Sequence, residues 1–309
     1  MIYPGNKRYL TWDYYLKQKF SSKVCKVALN AGFTCPNLDG TKGMGGCSYC
    51  SGEGSGEFAG KPSDSLKVQF EKVSAVMQRK WPNCRFIPYF QAHTNTYAPL
   101  PRLKEAYESV LPLPGDVGLA IATRADCLPD DVLDYLSELN QQTFLTVELG
   151  LQTVHEKTAR QINRCHSYEE FLKGYCALQE RGIRTCLHLI NGLPGEDKPM
   201  MLETVRRVGR LHPHSVKFHM LYIMEGTRIA RQYYNHEFEA MELVEYVDII
   251  CDQLELLPAE TIVQRVTGDG VREQLLAPKW SLKKFVVMNE IDKEMKRRDS
   301  WQGKYFAEA

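Results

Sequence analysis

No apolar run in the 309 residues reaches membrane-spanning length, and the opening "MIYPGNKRYLTWDYY" lacks the apolar centre of a signal peptide. The chain is therefore expected in the cytoplasm, with no membrane partner. An excess of one charge sign is also missing, since the formal net charge is +1. That excludes a histone-like polycation and a disordered tail, and it confines any basic surface to a local patch. No short repeat or low-complexity stretch occurs, and Pro112, Pro114 and Gly115 mark a loop, not a linker. What remains is the size of one large domain, for which a single α/β barrel is ordinary. Ten cysteines are present. In a reducing compartment they read as free thiols or ligands before disulfides.

Short β-branched or aromatic runs read as strands: "KVCKVALN", "RFIPYFQ", "VGLAIAT", "FLTVELGL", "IRTCLHLI", "SVKFHMLYI" and "TIVQRVT". Helical spacing lies between them. Leu66, Phe70, Val73 and Met77 share a face until Pro82 stops the helix. Leu133, Leu136 and Leu139 repeat the pattern after an acidic first turn. Ser167 and Glu170 form a capping box that opens a helix closing on Gly182, and 239–258 reads as a further long helix. Strands alternating with helices predict a parallel sheet with right-handed crossovers, curling into a partial (β/α)6 TIM-like barrel. The core is expected over residues 1–270, with 271–309 as a C-terminal helical extension.

In such a fold ligands gather at the C-terminal strand ends. The segment after the first strand, "GFTCPNLDGTKGMGGCSYC", places Cys35, Cys47 and Cys50 among glycines. Cysteine also packs as a small hydrophobe, but so glycine-rich a loop makes a poor core segment. A structural zinc site needs a fourth ligand, for which only Cys25 or a distant His93 offers itself. A cubane iron–sulfur cluster can be held by three thiolates with one iron open. Spacing alone leaves zinc and iron–sulfur even. The other seven cysteines are scattered without ligand spacing and read as core.

"CPNLDGTKGMGGCSYC", "ELGLQTVHEKTARQINRCHSYEEF" and "LHLINGLPGE" together resemble a radical S-adenosylmethionine (radical SAM) enzyme. The branch is that of the Elongator catalytic subunit and the oxygen-independent coproporphyrinogen oxidase. More closely, the chain is similar to the YtqA/YhcC (MnmL) family, over essentially its whole length, including "YFQAHTNTYAPL" and "RDSWQGKYF". The eleven residues between Cys35 and Cys47 depart from the commonest radical SAM spacing and resemble this family's long-gap variant.

The resemblance implies that Cys35, Cys47 and Cys50 hold a [4Fe–4S] cluster whose fourth iron takes the amino and carboxylate groups of SAM. Reductive cleavage of SAM would then give a 5′-deoxyadenosyl radical. Tyr49 matches an aromatic placed against adenine. Gln91, His93 and Thr94 match the segment near the methionine amino group, although the Gly-Gly-Glu of other members is absent. Glu148 and Gln152 would lie near the ribose, with Ala122 standing where related enzymes often carry a glutamate. Arg164, twelve residues beyond Gln152, matches an arginine that pairs with the SAM carboxylate. Ile190 would face adenine, and Leu221 would meet it through its backbone. An electron donor such as a flavodoxin or ferredoxin is implied as a partner; the oligomeric state is left open.

For the substrate, Lys283, Lys284, Lys293, Lys296, Arg297 and Arg298, with Trp280, Trp301 and Tyr305, suit RNA phosphates and unstacked bases. The same residues also fit the solvated face of an amphipathic helix. The resemblance implies a tRNA anticodon loop and modification of its wobble uridine. The 5-carboxymethylaminomethyl-(2-thio)uridine would become the 5-aminomethyl form. A radical enzyme acting on a small molecule such as a tetrapyrrole is the alternative, and a zinc- or cluster-bearing RNA-binding module is a third.

Overall fold

The computed structural model describes residues 2–307; Met1, Glu308 and Ala309 lie outside the described residues. Six parallel strands come in chain order: Val24–Leu29 (β1), Arg85–Phe90 (β2), Gly118–Thr123 (β3), Phe144–Gln152 (β4), Arg184–Asn191 (β5) and Ser215–Met220 (β6). Ile223–Met224 (β7) pairs antiparallel with Leu275–Ala277 (β9), and Ile262–Arg265 (β8) joins the main sheet. The order β1-β2-β3-β4-β5-β6-β8 is parallel at every pairing. The expected partial barrel is therefore present, with β8 as a seventh strand.

The helices are Trp12–Phe20 (α1), Leu66–Lys80 (α2), Leu100–Glu108 (α3), Asp130–Gln142 (α4), Glu156–Gln161 (α5), Tyr168–Glu180 (α6), Lys198–Arg210 (α7), Arg228–Tyr234 (α8), Leu243–Glu255 (α9) and Lys284–Arg297 (α10). The Ser167–Glu170 capping box opens α6. Among the described residues no helix is long and apolar enough to cross a membrane.

Strand side chains alternate between two environments, as a period of two requires. Val27, Leu29, Leu119, Ile121, Val147 and Leu149 face outward into the core beneath the helices. The other face is the lumen. Its floor is plugged by α1, whose Trp12 and Tyr15 stack with centroids 5.7 Å apart and pack with Phe144 and Ile87. In strands covered outside by helices, Ala28, Ala122, Gly150, His188, Ile190 and His219 are still half-exposed, and that exposure comes from the lumen.

The seam between β1 and β8 has no strand ladder. Lys26 Nζ donates to Gln264 Oε1 across it at 2.7 Å, and residues 10–11 run beside β8, with Val263 N–H bonded to Leu10 O at 2.8 Å. Gln302 ties the tail to the same edge. Its Oε1 accepts from Leu10 N–H at 2.8 Å and its Nε2 donates to the carbonyls of Pro258 and Thr261, both at 2.7 Å.

Three boundaries differ from expectation. The run "SVKFHMLYI" divides: Leu221 N–H still bonds Asn191 O of β5 at 2.8 Å, and beyond it β7 pairs with β9 instead. The helix expected over 239–258 begins at Leu243, since Met241 O accepts the Trp280 indole N–H at 2.9 Å and holds the preceding chain extended. The short helices α1, α3, α5 and α8 carry too few turns for their periodicity to show in sequence, and α7, although as long as α4 and α6, is not among the expected helices. As for 271–309, Val287, Ile291 and Met295 of α10 are buried in the same core as α9.

Candidate cluster and cofactor site

Every strand-end loop at the β1–β6 mouth contributes. Cys35, Cys47 and Cys50 lie on the loop after β1, which docks on the turn between α5 and α6. Asn37 Nδ2 donates to Asn163 O at 2.6 Å and Arg164 O at 3.2 Å, and Asn163 Nδ2 returns to Gly46 O at 2.7 Å. Ser48 N–H bonds Ile162 O, and Ile229 N–H of α8 bonds Ser48 O, both at 2.9 Å. A Cβ at Gly43 would sit 2.7 Å from Cys165 Sγ and 3.0 Å from Asn37 Oδ1, so a larger residue there would push one of these side chains aside.

Charge reinforces the clamp. Arg124, just past β3, grips Asp126 through two bonds of 2.9 Å and donates to Arg164 O at 2.8 Å. Lys42, on the cysteine loop, reaches Asp126 at 2.9 Å. Burial alone would raise Asp126, but Arg124, His166 and Lys42 hold its carboxyl at about 2. Cys47 is lowered by its hydrogen bond with the Cys50 thiol, aided by Arg124, Tyr49 and Asn37, which favours the thiolate that binds metal.

Arg164 is 1% exposed. Its Nη1 donates to Leu151 O and Thr153 O, both at 2.6 Å, and its Nε to His166 O at 3.0 Å. The two carbonyls flank Gln152, which sits at φ 62° where the β4–β5 register shifts. Such backbone is uncommon outside glycine and persists only where its surroundings enforce it. The remaining nitrogen, Nη2, is buried without a partner. An unmatched guanidinium N–H is costly to bury, so this edge is set for an anion such as a carboxylate. Arg164 acts electrostatically on Cys47 and Tyr49, which places the orphan beside the cysteine loop.

Tyr49, Ile190 and Leu221 meet in one apolar cluster with Leu193 and Ile229, apart from the main core. Gln91, His93 and Thr94 sit on the other side of the mouth. Gln91 Nε2 donates to Ser55 O at 2.7 Å, His93 N–H to Gly54 O at 3.0 Å, and Thr94 N–H to Thr34 O at 3.2 Å. Gly54 has no room for a side chain, because a Cβ would lie 2.3 Å from His93 Nδ1, an atom left without a hydrogen-bond partner. The three thiols, the orphan of Arg164 and the apolar slot together fit a cluster and a zwitterionic cofactor with an aromatic base.

Glu148 lies deeper than the rest. Its carboxylate, wholly buried, contacts Lys26 and Lys217 and accepts His188 Nε2–H at 2.8 Å. Burial would raise it, but Lys217, Lys26 and His188 pull it well below the usual range. Burial lowers Lys217 to about 8 and His188 to about 4. Sequence reasoning missed this layer. Its signal was a lysine in the middle of each of two otherwise apolar strands, "KVCKVALN" and "SVKFHMLYI".

The family description Radical SAM superfamily matches residues 41–208, and Radical_SAM C-terminal domain matches 213–297. The chain belongs to the radical SAM superfamily. Uncharacterized protein YtqA of Bacillus subtilis (strain 168) is 51% identical over 97% of this chain and 93% of its own length. Protein YhcC of Escherichia coli (strain K12) is 34% identical over 90% of this chain and 89% of its own. Half of the chain, at 26% identity, matches 28% of a tRNA uridine(34) acetyltransferase of Methanocaldococcus jannaschii. Among solved structures, Methanocaldococcus infernus Elp3 lacking residues 1–46 aligns with TM-score 0.66 at 18% identity, over 91% of this chain and 64% of that one. This likeness shows the fold. The radical SAM cofactors, a [4Fe–4S] cluster and SAM, thus answer the choice left open between zinc and iron–sulfur.

Of the basic C-terminal residues, four have carboxylate partners. Lys284 meets Asp269 at 2.9 Å, Lys293 meets Glu290 at 2.8 Å, Arg297 meets Glu294 at 2.6 Å and Arg298 meets Asp252 at 2.5 Å. Trp280 is a packing residue, whereas Trp301 and Tyr305 are exposed, with Lys304 over both rings.

Proposed function

We propose that this radical SAM enzyme acts on the wobble uridine (U34) of tRNA, converting 5-carboxymethylaminomethyl-(2-thio)uridine to 5-aminomethyl-(2-thio)uridine. The observation that carries the reading is the match of half the chain to a tRNA uridine(34) acetyltransferase. A wobble base is already single-stranded, so splaying it into a barrel mouth costs little unstacking. Lys283 and Lys296, which have no carboxylate partner among the described residues, are left to meet tRNA phosphates.

In this reading Cys35, Cys47 and Cys50 hold the cluster. Arg164 takes the SAM carboxylate on Nη2, Gln91, His93 and Thr94 bound the amino end, and Gln152 serves the ribose, whereas Glu148, expected beside it, is committed to Lys26, Lys217 and His188. Tyr49, Ile190 and Leu221 form the adenine slot and keep water from it. When bound, the cluster and SAM supply hydrogen-atom abstraction, a chemistry suited to the arm's methylene, where nitrogen and carbonyl both stabilise a carbon radical. A low-potential donor such as a flavodoxin or ferredoxin completes the system.

The test incubates reduced, cluster-loaded enzyme and SAM with tRNA bearing the carboxymethylaminomethyl group, then digests it to nucleosides. The expected products are the 5-aminomethyl nucleoside, glyoxylate, 5′-deoxyadenosine and methionine, because SAM as two-electron oxidant would take the arm's N–CH2 to N=CH and water would then release its two carbons. Active SAM cleavage with no aminomethyl nucleoside overturns the tRNA reading in favour of a small-molecule substrate.

A further inference from the structure

We propose that Arg265 and Lys217 form an anion receptor in the barrel lumen, beneath the mouth, that takes a carboxylate of the substrate. The inference deepens the tRNA reading and rests on it for the source of that carboxylate. Arg265 is the register partner of Lys217 across β6 and β8. The β6–β8 register shifts just before this pair, so Arg265 shares the lumen side with Gln264, which bonds Lys26 and Ser215, and with Lys217, which points onto Glu148. The guanidinium accordingly acts on Tyr89, His219 and Tyr222, residues of three different segments around that space.

Charge in this layer does not balance. Lys26, Lys217 and Arg265 face the single carboxylate of Glu148, while burial keeps His188 and His219 neutral. Glu148 is shared by the two lysines and His188, so nothing remains of it for Arg265. Among the described residues Arg265 makes no salt bridge or hydrogen bond, and it is exposed in a strand that is otherwise buried or half-buried. Beside it, His219 Nε2 is buried without a partner, its ring 5.4 Å from that of His188.

Space lies above the layer, because Ala28 and Ala122 present only methyl groups to the lumen and are half-exposed there. An unmatched cation at the bottom of an open cavity, beside a second held by one shared carboxylate, selects an anionic group. The planar fork of arginine suits a carboxylate. On the proposed substrate that group is the end of the carboxymethyl arm. A small-molecule substrate with propionate side chains would present the same chemistry.

The experiment measures equilibrium binding of cluster-loaded enzyme with SAM to two anticodon stem-loops, one with the carboxymethylaminomethyl arm and one with the aminomethyl arm. Wild type should favour the carboxylate-bearing loop by roughly tenfold to a hundredfold, the scale of a charge-assisted hydrogen-bond pair. Arg265→Gln should erase that preference with the aminomethyl loop bound as before, and Arg265→Lys should restore part of it. Equal weakening for both loops, or an unchanged preference, overturns the receptor. If wild type converts no tRNA and distinguishes neither loop, the tRNA reading has failed on its own. The same variants are then titrated with the tetracarboxylate coproporphyrinogen. Tighter binding by wild type than by Arg265→Gln supports the receptor with a small-molecule source, and equal binding overturns it.

Discussion

At the mouth of the barrel, carboxamides and backbone carbonyls dock the loop that carries Cys35, Cys47 and Cys50, with Asn37 and Asn163 exchanging bonds across the gap. One layer down, full charges bridge the strands, with Glu148 between Lys26, Lys217 and His188. The two regions also differ in what they leave unmatched. Among the described residues the mouth leaves single buried atoms, Arg164 Nη2 and His93 Nδ1 among them, and the lumen leaves a whole guanidinium. Neutral bonds hold a loop in place at small desolvation cost, which suits a site that a cluster must enter. Buried charges cost more and discriminate more, which suits a site that must tell one substrate group from another.

The sharpest way to break this comparison is at the thiols. Replacing any one of Cys35, Cys47 or Cys50 by alanine should remove most of the iron from anaerobically reconstituted protein, while Cys84→Ala and Cys251→Ala should retain it, as read by iron analysis and visible absorbance. Stoichiometric zinc with no iron in the wild type would undo the assignment of the mouth.

Glu148→Gln should have the next largest effect, and on stability. Stripping the carboxylate leaves two buried ammonium groups uncompensated, a loss of about 3 kcal/mol. Lys217 is already held at about 8, and Glu148 supports its charged form, so the variant sheds that proton more readily. The deficit should therefore be deepest below neutral pH and close as pH rises towards 8, measured by denaturant unfolding. A loss independent of pH would show that packing, not charge, explains the layer.

A smaller effect belongs to Asp126, the carboxylate that Arg124 and Lys42 share at the mouth. Its folded value of about 2 lies below the ordinary aspartate range, so its contribution is full above pH 4 and is lost as pH falls towards 2. That amounts to about 2 kcal/mol. In cluster-free protein, Asp126→Asn should flatten the decline in unfolding free energy between pH 5 and pH 2. An unchanged decline would assign acid sensitivity to the lumen.

The same contrast explains what sequence reasoning reached. All seven strands of the sheet were legible because helices cover their outer faces and the runs are apolar. The helices opened by Asp130 and by Ser167 announced themselves through charge and capping. The cysteines stood out because glycine around them denied a core role. Tyr49, Ile190 and Leu221 came only through the family resemblance, and the structure gathers them in one cluster. Lys26, Lys217 and Arg265 stayed hidden because each sits alone in its strand, and only curling the sheet sets them against Glu148. Arg298 was read as phosphate-facing, but its partners Asp248 and Asp252 lie on α9, far away in sequence.

The seam between β1 and β8 has a consequence for how the chain is made. The N-terminal segment is synthesised first, yet it can take its place only after β8 exists. Gln302, which pins both, lies 292 positions from its partner Leu10. A nascent chain must therefore carry β1 with one edge uncovered until β8 and Gln302 have been made. Such late closure makes folding slow and leaves an open strand edge to other chains.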